Sequence, residues 1–213
     1  MKTICFVPIK KNSQRIPNKN FKKIYKKKLY KILIDKLKEL SCFDVIIIDT
    51  DSKEILDYCS RNKVKTIKRL KKLTSNNTNG NDLSKYWYEK FPSYDLYFTI
   101  HVTSPFLKPK TIIDACNFLK KNKYYNSILL CEFMYDWFWY KGKPINHVAK
   151  LPIRTQELVP VIKDSTALYG IKVGQFKKGN WRIGDKPFFQ KIDTIEATDI
   201  DNHIDLKIAR KLA

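Results

Sequence analysis

The sequence predicts an α/β fold of three layers, in which helices cover both faces of a mostly parallel sheet. Short apolar runs rich in Val and Ile alternate along the chain with segments whose apolar residues recur at helical spacing. This order is typical of βαβ units. The chain is 213 residues long and 43% hydrophobic, which suits one domain with a full core. We therefore expect a single domain over residues 1–213.

The first half of the chain supplies four predicted strands and three predicted helices. Residues 45–48 form an apolar run that ends at Asp49-Thr50-Asp51, and Asp51 or Ser52 is the expected N-cap of the helix that follows. Residues 70–81 are polar and rich in Asn, so we expect a loop there. The predicted strands are 3–7, 45–48, 65–67 and 96–102, and the predicted helices are 29–40, 52–61 and 82–91.

The second half continues the alternation but interrupts it once. Residues 133–163 contain prolines and the aromatic run Tyr135-Asp136-Trp137-Phe138-Trp139-Tyr140, with no regular period. Such an excursion from an α/β core is usually a lid, a substrate loop or a dimerisation arm. The predicted strands are 127–131, 166–173 and 188–192, and the predicted helices are 110–121 and 204–212.

The formal net charge of +21 favours an anionic ligand. A nucleic-acid-binding protein is one interpretation. However, only six of the 42 basic residues are arginine, and lysines are spread along the whole chain. Base readout and planar phosphate recognition favour arginine, so we expect no specific nucleic-acid partner. A positive field that attracts a nucleotide or an acidic sugar fits the composition equally well.

The five cysteines are dispersed and form no C-x-x-C pair, which predicts reduced core thiols in a cytoplasmic protein. The three histidines are far apart and lack the spacing of zinc ligands. No apolar run approaches the roughly 18 residues of a membrane span, so we expect no membrane association. The short apolar stretch at the N-terminus leads directly into Lys10-Lys11, which favours a buried strand over a signal peptide.

The segment 4–20 is the most informative part of the chain. The apolar run Ile4–Val7 ends in a loop rich in cations and hydrogen-bond donors. A strand that leads into such a loop is how α/β proteins present a phosphate site at the carboxyl ends of parallel strands. The loop contains Lys10, Lys11, Asn12, Ser13, Arg15, Asn18, Lys19 and Asn20.

This segment resembles the N-terminal signature of the acylneuraminate cytidylyltransferases, the CMP-sialic acid synthetase family. In that signature a strand runs into A-R-x-x-S-K-x-x-P-x-K-N, a loop that binds CTP. Further segments resemble the family in the same order along the chain: 44–51, 101–105, 154–160, 164–169 and 198–206. The resemblance implies a Rossmann-like nucleotidyltransferase fold with a projecting dimerisation excursion at 133–163.

The resemblance implies that a sugar's anomeric hydroxyl attacks the α-phosphate of CTP and that pyrophosphate leaves. Lys19 matches the family's phosphate-binding lysine and is the expected catalytic cation. Arg69 matches an arginine that contacts the nucleotide, although ordinary surface charge is an alternative for it. The expected nucleotide-binding residues are Lys10, Asn12, Ser13, Arg15, Asn20, Arg69, Thr103 and Ser104.

The sugar contacts implied by the resemblance lie later in the chain. His101 stands where the family has a glutamine that contacts the sugar, although a core histidine is nearly as probable. Arg154 and Gln156 are expected to recognise the sugar's carboxylate and hydroxyls, with dimer contacts as the alternative. Ser165 and Thr166 occupy the family's N-G position. The aromatic run 135–140 favours a dimer interface over a sugar platform.

Asp199 and Asp201 are spaced i, i+2, which places both carboxylates on one side of an extended segment. Two carboxylates together with triphosphate oxygens suit Mg²⁺, and the resemblance implies that this segment binds the metal, with Asp201 also catalytic. A polar turn with a helix N-cap is the alternative. The expected partners are therefore CTP, an acidic sugar, Mg²⁺ and a second copy of the chain.

The chain departs from the family pattern at three places. Gln14 replaces a lysine, residues 25–29 lack the usual glycine and proline, and Ser165-Thr166 replace N-G. These departures leave a second hypothesis open, a homologue that binds nucleotide with reduced catalysis.

Overall fold

A seven-stranded sheet forms the centre of the molecule in a computed structural model that describes residues 1–151 and 154–213. Two short hairpins lie outside this sheet: β2 with β3, and β8 with β9. The strands are β1 (Thr3–Ile9), β2 (Lys23–Ile24), β3 (Lys27–Lys28), β4 (Val45–Thr50), β5 (Lys65–Lys68), β6 (Leu96–Ile100), β7 (Ser127–Met134), β8 (Trp139–Tyr140), β9 (Lys143–Pro144), β10 (Val161–Lys172) and β11 (Pro187–Lys191).

The sheet is mostly parallel, as predicted. The strand order is β11-β7-β10-β6-β1-β4-β5, and β10 alone runs antiparallel to its neighbours β6 and β7. The pairs β1–β4, β1–β6, β4–β5 and β7–β11 are parallel. Because β1, β5 and β6 point the same way, the loops that follow them meet at one edge of the sheet.

Helices cover both faces of the sheet, which confirms the three-layer prediction. The helices are α1 (Leu29–Lys38), α2 (Lys53–Arg61), α3 (Gly80–Lys90), α4 (Pro109–Lys121) and α5 (His203–Leu212), with 3₁₀ turns at Lys19–Phe21, Lys71–Thr74, Thr155–Glu157 and Val173–Lys178. Alternate residues of β1 enter two different cores. Cys5 and Val7 pack with α1, α2, α4 and α5, whereas Ile4 and Phe6 pack with α3 and the turn 173–178.

The helix and strand predictions were close, and the differences have local causes. Helix α3 begins two residues before the predicted start, because Asn79 and Asp82 form a capping box at its N-terminus. Strands β7 and β10 extend into the predicted excursion, since residues 161–164 pair with residues 131–134. The excursion therefore spans residues 135–160, and β8 and β9 form a hairpin within it.

The cysteine prediction agrees with the structure, because all five side chains are buried thiols. None of the helices in residues 1–151 and 154–213 combines the length and apolar character needed to cross a bilayer.

Candidate functional site

A cleft of about 410 Å³ opens at the edge of the sheet where β1, β5 and β6 end. Its volume is in the range of small-molecule sites. Three segments form most of its wall: the loop after β1, residues 73–78, and the residues that follow β6. The lining residues are Pro8, Lys10, Asn12, Ser13, Gln14, Arg15, Lys19, Asn20, Arg69, Leu73, Ser75, Asn76, Thr78, Leu83, His101, Val102 and Thr103.

Four cationic side chains line the cleft: Lys10, Arg15, Lys19 and Arg69. Within the part of the chain that the structure describes, none of the lining residues is acidic. Hydroxyl and amide groups from Asn12, Ser13 and other residues complete the wall. Such a surface attracts an anion and supplies many hydrogen-bond donors to it.

The loop after β1 is held in shape by its own polar groups. The Asn20 side chain is buried, and its Nδ2 donates to the Lys10 carbonyl at 2.8 Å. Lys10 Nζ in turn donates to Asn76 Oδ1 at 2.9 Å, which connects the loop to the opposite wall of the cleft. The Lys11 backbone N–H donates to Asp51 Oδ1 at 2.6 Å. These bonds reach two neighbouring loops, so the loop is fixed at both sides.

Arg69 is held by a buried carboxylate. Its Nε donates to Asp49 Oδ1 at 3.1 Å and its Nη2 donates to the Asp49 carbonyl at 3.1 Å. The other oxygen of Asp49 accepts a hydrogen bond from Trp87 Nε1 at 2.7 Å. Both Arg69 and Asp49 are buried, so the alternative of ordinary surface charge for Arg69 is wrong.

Asp201 forms ion pairs with two other cations of the cleft wall, Lys19 and Arg15. Two guanidinium nitrogens of Arg15 lie 2.9 Å from the two carboxylate oxygens of Asp201. Lys19 Nζ donates to Asp201 Oδ1 at 3.3 Å and to the Ile200 carbonyl at 2.7 Å. Asp201 thus positions two of the predicted phosphate-binding cations.

Asp199 lies in a different environment from Asp201. Its Oδ2 accepts a hydrogen bond from Thr166 Oγ1 at 3.3 Å, and its Oδ1 is buried with no partner among the described residues. Burial raises the pKa of the Asp199 carboxyl, and the nearby charge of Asp201 raises it further, while the Thr103 and Thr166 hydroxyls and the charge of Lys19 lower it. An uncompensated carboxylate oxygen of this kind is suited to a hard cation.

The described residues fit a metal only in combination with a bound nucleotide. No group of three or more His, Cys, Asp or Glu side chains that could hold a metal lies within residues 1–151 and 154–213. However, Mg²⁺ typically binds one or two carboxylates and takes its other ligands from water and substrate phosphates. The orphaned oxygen of Asp199 and the adjacent Asp201 meet that requirement.

His101 lies in the cleft wall as a neutral imidazole. Its Nδ1 is 2.6 Å from the Thr166 carbonyl, so Nδ1 carries the proton and Nε2 is the acceptor. Burial lowers the pKa of His101 to about 4, and the positive charges of Arg182 and Lys19 act in the same direction, against the Thr166 carbonyl and the charge of Asp164. The ring therefore offers a hydrogen-bond acceptor to the cleft at neutral pH.

The family model of the cytidylyltransferases matches residues 4–169, which include β1, its loop, Arg69 and His101. The chain belongs to the cytidylyltransferase family. The resemblance read from the sequence motifs is thereby confirmed, and members of this family are nucleotidyltransferases.

Curated relatives agree with this assignment. Two proteins named N-acylneuraminate cytidylyltransferase, from Streptococcus agalactiae serotypes III and Ia, are each 24% identical to the chain over 177 residues. The match covers 79% of this chain but 43% of each relative. The chain thus spans less than half the length of the curated relatives it matches.

Solved structures share the fold. The CMP:2-keto-3-deoxy-manno-octonic acid synthetase complexed with CTP has a TM-score of 0.70 at 13% identity, covering 100% of this chain and 98% of that one. The 4-diphosphocytidyl-2C-methyl-D-erythritol synthase from Anaerococcus prevotii has a TM-score of 0.68 at 12% identity, with coverage of 99% and 98%. At these identities the likeness establishes the fold alone, and the two proteins are named for different products.

Most of the predicted nucleotide-binding residues of this cytidylyltransferase come together in the cleft. Seven of the eight line it, and so does the predicted catalytic Lys19; the seven are Lys10, Asn12, Ser13, Arg15, Asn20, Arg69 and Thr103. Ser104 is the eighth. Its side chain is buried, and its hydroxyl has no partner among the described residues.

The predicted sugar contacts are divided. His101 lines the cleft, and Thr166 lies behind it, bonded to Asp199. Ser165 is buried, and its hydroxyl donates to the Leu130 carbonyl at 2.7 Å. It therefore stabilises the irregular pairing of β10 with β7 and does not contribute to the cleft surface. Arg154 and Gln156 are exposed at the 3₁₀ turn of the excursion and do not line the cleft.

Sequence reasoning missed three residues of this site. Asp49 ends a predicted strand in a D-T-D sequence, but nothing in the sequence indicated its ion pair with Arg69. Asn76 lies near the position of the family's S-D-T in the predicted polar loop, but no contact was assigned to it. Arg182 had no motif, although its charge acts on His101.

Proposed function

We propose that the chain is a CTP-dependent cytidylyltransferase that activates an acidic, ulosonic sugar to its CMP-sugar and releases pyrophosphate. The observation that carries the proposal is the cleft at the end of β1, which four cations line without an acidic side chain among the described residues. The cleft is built largely from the segment that the family model matches.

The loop after β1 would bind the triphosphate of CTP. Its cations and amide groups neutralise phosphate charge, and the bonds from Asn20 and Lys10 hold it in a fixed shape before the nucleotide arrives. Preorganised charge of this kind stabilises a phosphoryl-transfer transition state without later rearrangement.

In the transfer, the sugar's anomeric oxygen forms a bond to the α-phosphorus while the bond to the bridging oxygen of the pyrophosphate breaks. The hydroxyl proton leaves to solvent, and the electron pair of the broken bond stays on pyrophosphate. Lys19 is the cation we assign to the α-phosphate, because its Nζ is shared with an exposed carboxylate that a phosphate oxygen can replace. A second phosphate oxygen can replace Asp201 as the partner of Arg15 in the same way.

Asp199 and Asp201 would hold Mg²⁺ together with oxygens of the nucleotide. When bound, the ion neutralises the triphosphate and makes pyrophosphate a better leaving group. The buried oxygen of Asp199, which has no partner in residues 1–151 and 154–213, is the feature that supports this assignment.

An acidic sugar is the preferred acceptor for two reasons. The curated relatives are named for N-acylneuraminate, and the surroundings of the cleft are strongly positive. The neutral His101 ring adds an acceptor for a sugar hydroxyl in the same wall. The departure at Gln14, which also lines the cleft, is the reason to test turnover as well as binding.

We also propose that the excursion pairs two copies of the chain. Trp137, Trp139 and Tyr140 are exposed on and beside the β8–β9 hairpin, and clustered exposed aromatics mark interaction surfaces. Arg154 and Gln156 lie on the same excursion, where they fit the dimer contacts considered for them. Light scattering would detect a dimer, and Trp139→Ser should shift it toward monomer; a concentration-independent monomer would contradict the pairing.

Pyrophosphate release tests the main proposal. CTP, MgCl₂ and a panel of acids (N-acetylneuraminate, legionaminate, pseudaminate and 3-deoxy-manno-octulosonate) should give release with at least one acid, and ATP, GTP and UTP should not replace CTP. CTP should also raise the melting temperature more than ATP or GTP, because it stabilises only the folded state. Binding of CTP without turnover on the panel would favour the homologue with reduced catalysis. Equal shifts with every nucleotide would contradict a cytidine site.

A further inference from the structure

Arg182 is a half-buried arginine that has no carboxylate partner within the described chain. Its guanidinium carbon lies 4.1 Å from the centre of the Tyr169 ring, a cation–π contact. Within residues 1–151 and 154–213, no Asp or Glu forms an ion pair with it. A guanidinium held partly out of water without a carboxylate is costly unless something else compensates it.

The position of Arg182 is fixed from two sides. Tyr169, on β10, stacks against one face of the guanidinium and donates its own hydroxyl to Asp164 Oδ2 at 2.6 Å. Gly80, at the start of α3, leaves the space on another side, since a Cβ there would lie 2.6 Å from the Arg182 Nη1. The guanidinium is therefore oriented, although its donors meet no carboxylate in the described part of the chain.

Arg182 lies next to the cleft through His101. The rings of His101 and Tyr169 meet edge to face with their centres 6.1 Å apart, and Arg182 covers the Tyr169 ring. His101 thus connects the cleft, which it lines together with Lys19, to the Tyr169 ring that Arg182 covers.

We propose that Arg182 binds the carboxylate of the acidic sugar. The assignment rests on the proposed function and identifies the residue that recognises the substrate's negative charge. Arginine binds a carboxylate with two parallel hydrogen bonds, and an oriented guanidinium forms them at a lower entropic cost. In an ulosonic acid the carboxylate and the anomeric hydroxyl share one carbon, so holding the first also orients the second for attack.

This assignment replaces Arg154, which the motif resemblance had indicated for the same task. Neither arginine is among the residues that line the cleft, and Arg154 is exposed on the excursion. Arg182, by contrast, is oriented by Tyr169 and Gly80 beside His101. The two arginines make different predictions, because only a residue that contacts the carboxylate can distinguish an acid from its ester.

The test compares each acid of the panel with its methyl ester in the wild type and in Arg182→Met. For an acid that is turned over, wild-type kcat/KM should fall on the order of 10- to 100-fold on esterification, the scale of a charged hydrogen bond. In Arg182→Met the acid should lose a similar factor while the ester changes little, so the preference disappears. Arg182→Lys should retain part of the preference, and the surface variant Arg61→Met should behave as wild type.

Binding of CTP, followed by its melting shift, separates a lost carboxylate contact from a damaged fold. Arg182→Met should keep this shift, because the nucleotide binds at the other end of the wall. If no acid is turned over, the proposed function is contradicted. The acid-to-ester comparison is then made by equilibrium binding of the same compounds in the presence of CTP, so the assignment of Arg182 is still tested. An unchanged acid-to-ester ratio in Arg182→Met overturns the assignment, as does a wild type that binds none of the acids. Loss of the ratio in Arg154→Met alone would return the role to that residue.

Discussion

Asp49 and Asp201 both hold cationic side chains at the cleft, but their environments are opposite. Asp49 is fully buried, its partner Arg69 is 4% exposed, and Trp87 occupies its remaining oxygen. The side chain of Asp201 is 38% exposed, and that of its partner Arg15 is 66% exposed. One ion pair is enclosed by the fold, and the other is open to solvent, with Arg15 and Lys19 in the wall of the cleft.

This difference distinguishes a charged pair that maintains the fold from a pair whose cations can bind a ligand. A buried pair cannot exchange partners without exposing an unpaired charge to a low dielectric, so Arg69 is fixed in place. An exposed pair contributes little to stability, and an incoming phosphate can replace the carboxylate. We therefore expect Asp49 to determine stability and the residues around Asp201 to determine activity.

The largest expected effect on stability comes from Asp49→Asn. This change keeps the shape but leaves the Arg69 guanidinium buried without its counter-charge, which should cost about 3–5 kcal/mol of unfolding free energy. The matched variant Asp201→Asn should cost no more than about 1 kcal/mol. Urea unfolding of both variants measures the contrast. Combining Asp49→Asn with Arg69→Met should recover part of the loss, and equal costs for the two single variants would remove the distinction.

The largest expected effect on activity comes from Lys19→Ala. A cation beside the reacting phosphate stabilises charge that grows in the transition state, so kcat should fall on the order of 10²- to 10³-fold or more. Lys11→Ala is the matched control, because Lys11 is exposed in the same loop and does not line the cleft. Pyrophosphate release and a melting curve are measured for both. Near-normal turnover in Lys19→Ala, or a loss explained by unfolding, would exclude Lys19 from the site.

His101 gives a smaller effect that depends on pH. Its pKa of about 4 in the fold lies below the ordinary value near 6.5, so between these values the unfolded chain binds a proton that the folded chain does not. Stability should therefore fall as the pH falls from 6.5 to 4, by up to about 3 kcal/mol from this residue.

The change His101→Gln should remove that part of the acid loss, and the exposed His203→Gln should not. The unfolding free energy of each variant is measured at pH 7, 5.5 and 4.5 and compared with that of the wild type at the same pH. Identical pH profiles for wild type and His101→Gln would mean that His101 is not held neutral by burial.

The contrast between the two ion pairs also marks what the sequence could predict. The loop after β1 and its cations were predictable, because a short apolar run followed by many donors is a local pattern. Asp49 could be placed at a strand end but not paired with Arg69, since β4 and β5 bring the two together from 20 residues apart. Arg182 had no local signal, because its surroundings come from β10 and α3.

Other differences have the same origin. The extension of β10 to Val161 depends on its pairing with β7, and its polar residues Lys163 and Asp164 gave no strand pattern. Arg154 matched a motif by its order along the chain, but the excursion that carries it lies outside the cleft. Patterns along the sequence predicted elements and loops, whereas distances across the sheet decided which charges meet.

The smallest expected effect compares the two carboxylates assigned to Mg²⁺. Asp199 has a buried oxygen without a partner among the described residues, and its pKa is raised by burial, so its charge is unfavourable in the metal-free fold. A raised carboxyl pKa means that this loss of stability appears as the pH rises through that pKa. At pH 7.5 without metal, Asp199→Asn should therefore raise the unfolding free energy by about 1 kcal/mol, the scale of relieving a buried unsatisfied group. Asp201→Asn should lower it by less than about 1 kcal/mol, because it removes an exposed pair with Arg15 and a longer contact of 3.3 Å with Lys19.

MgCl₂ with CTP should then raise the melting temperature of the wild type more than that of either variant, since each has lost one ligand charge. If both variants respond to MgCl₂ as the wild type does, and change stability in the same direction, the two aspartates form a polar turn before α5 rather than a metal site.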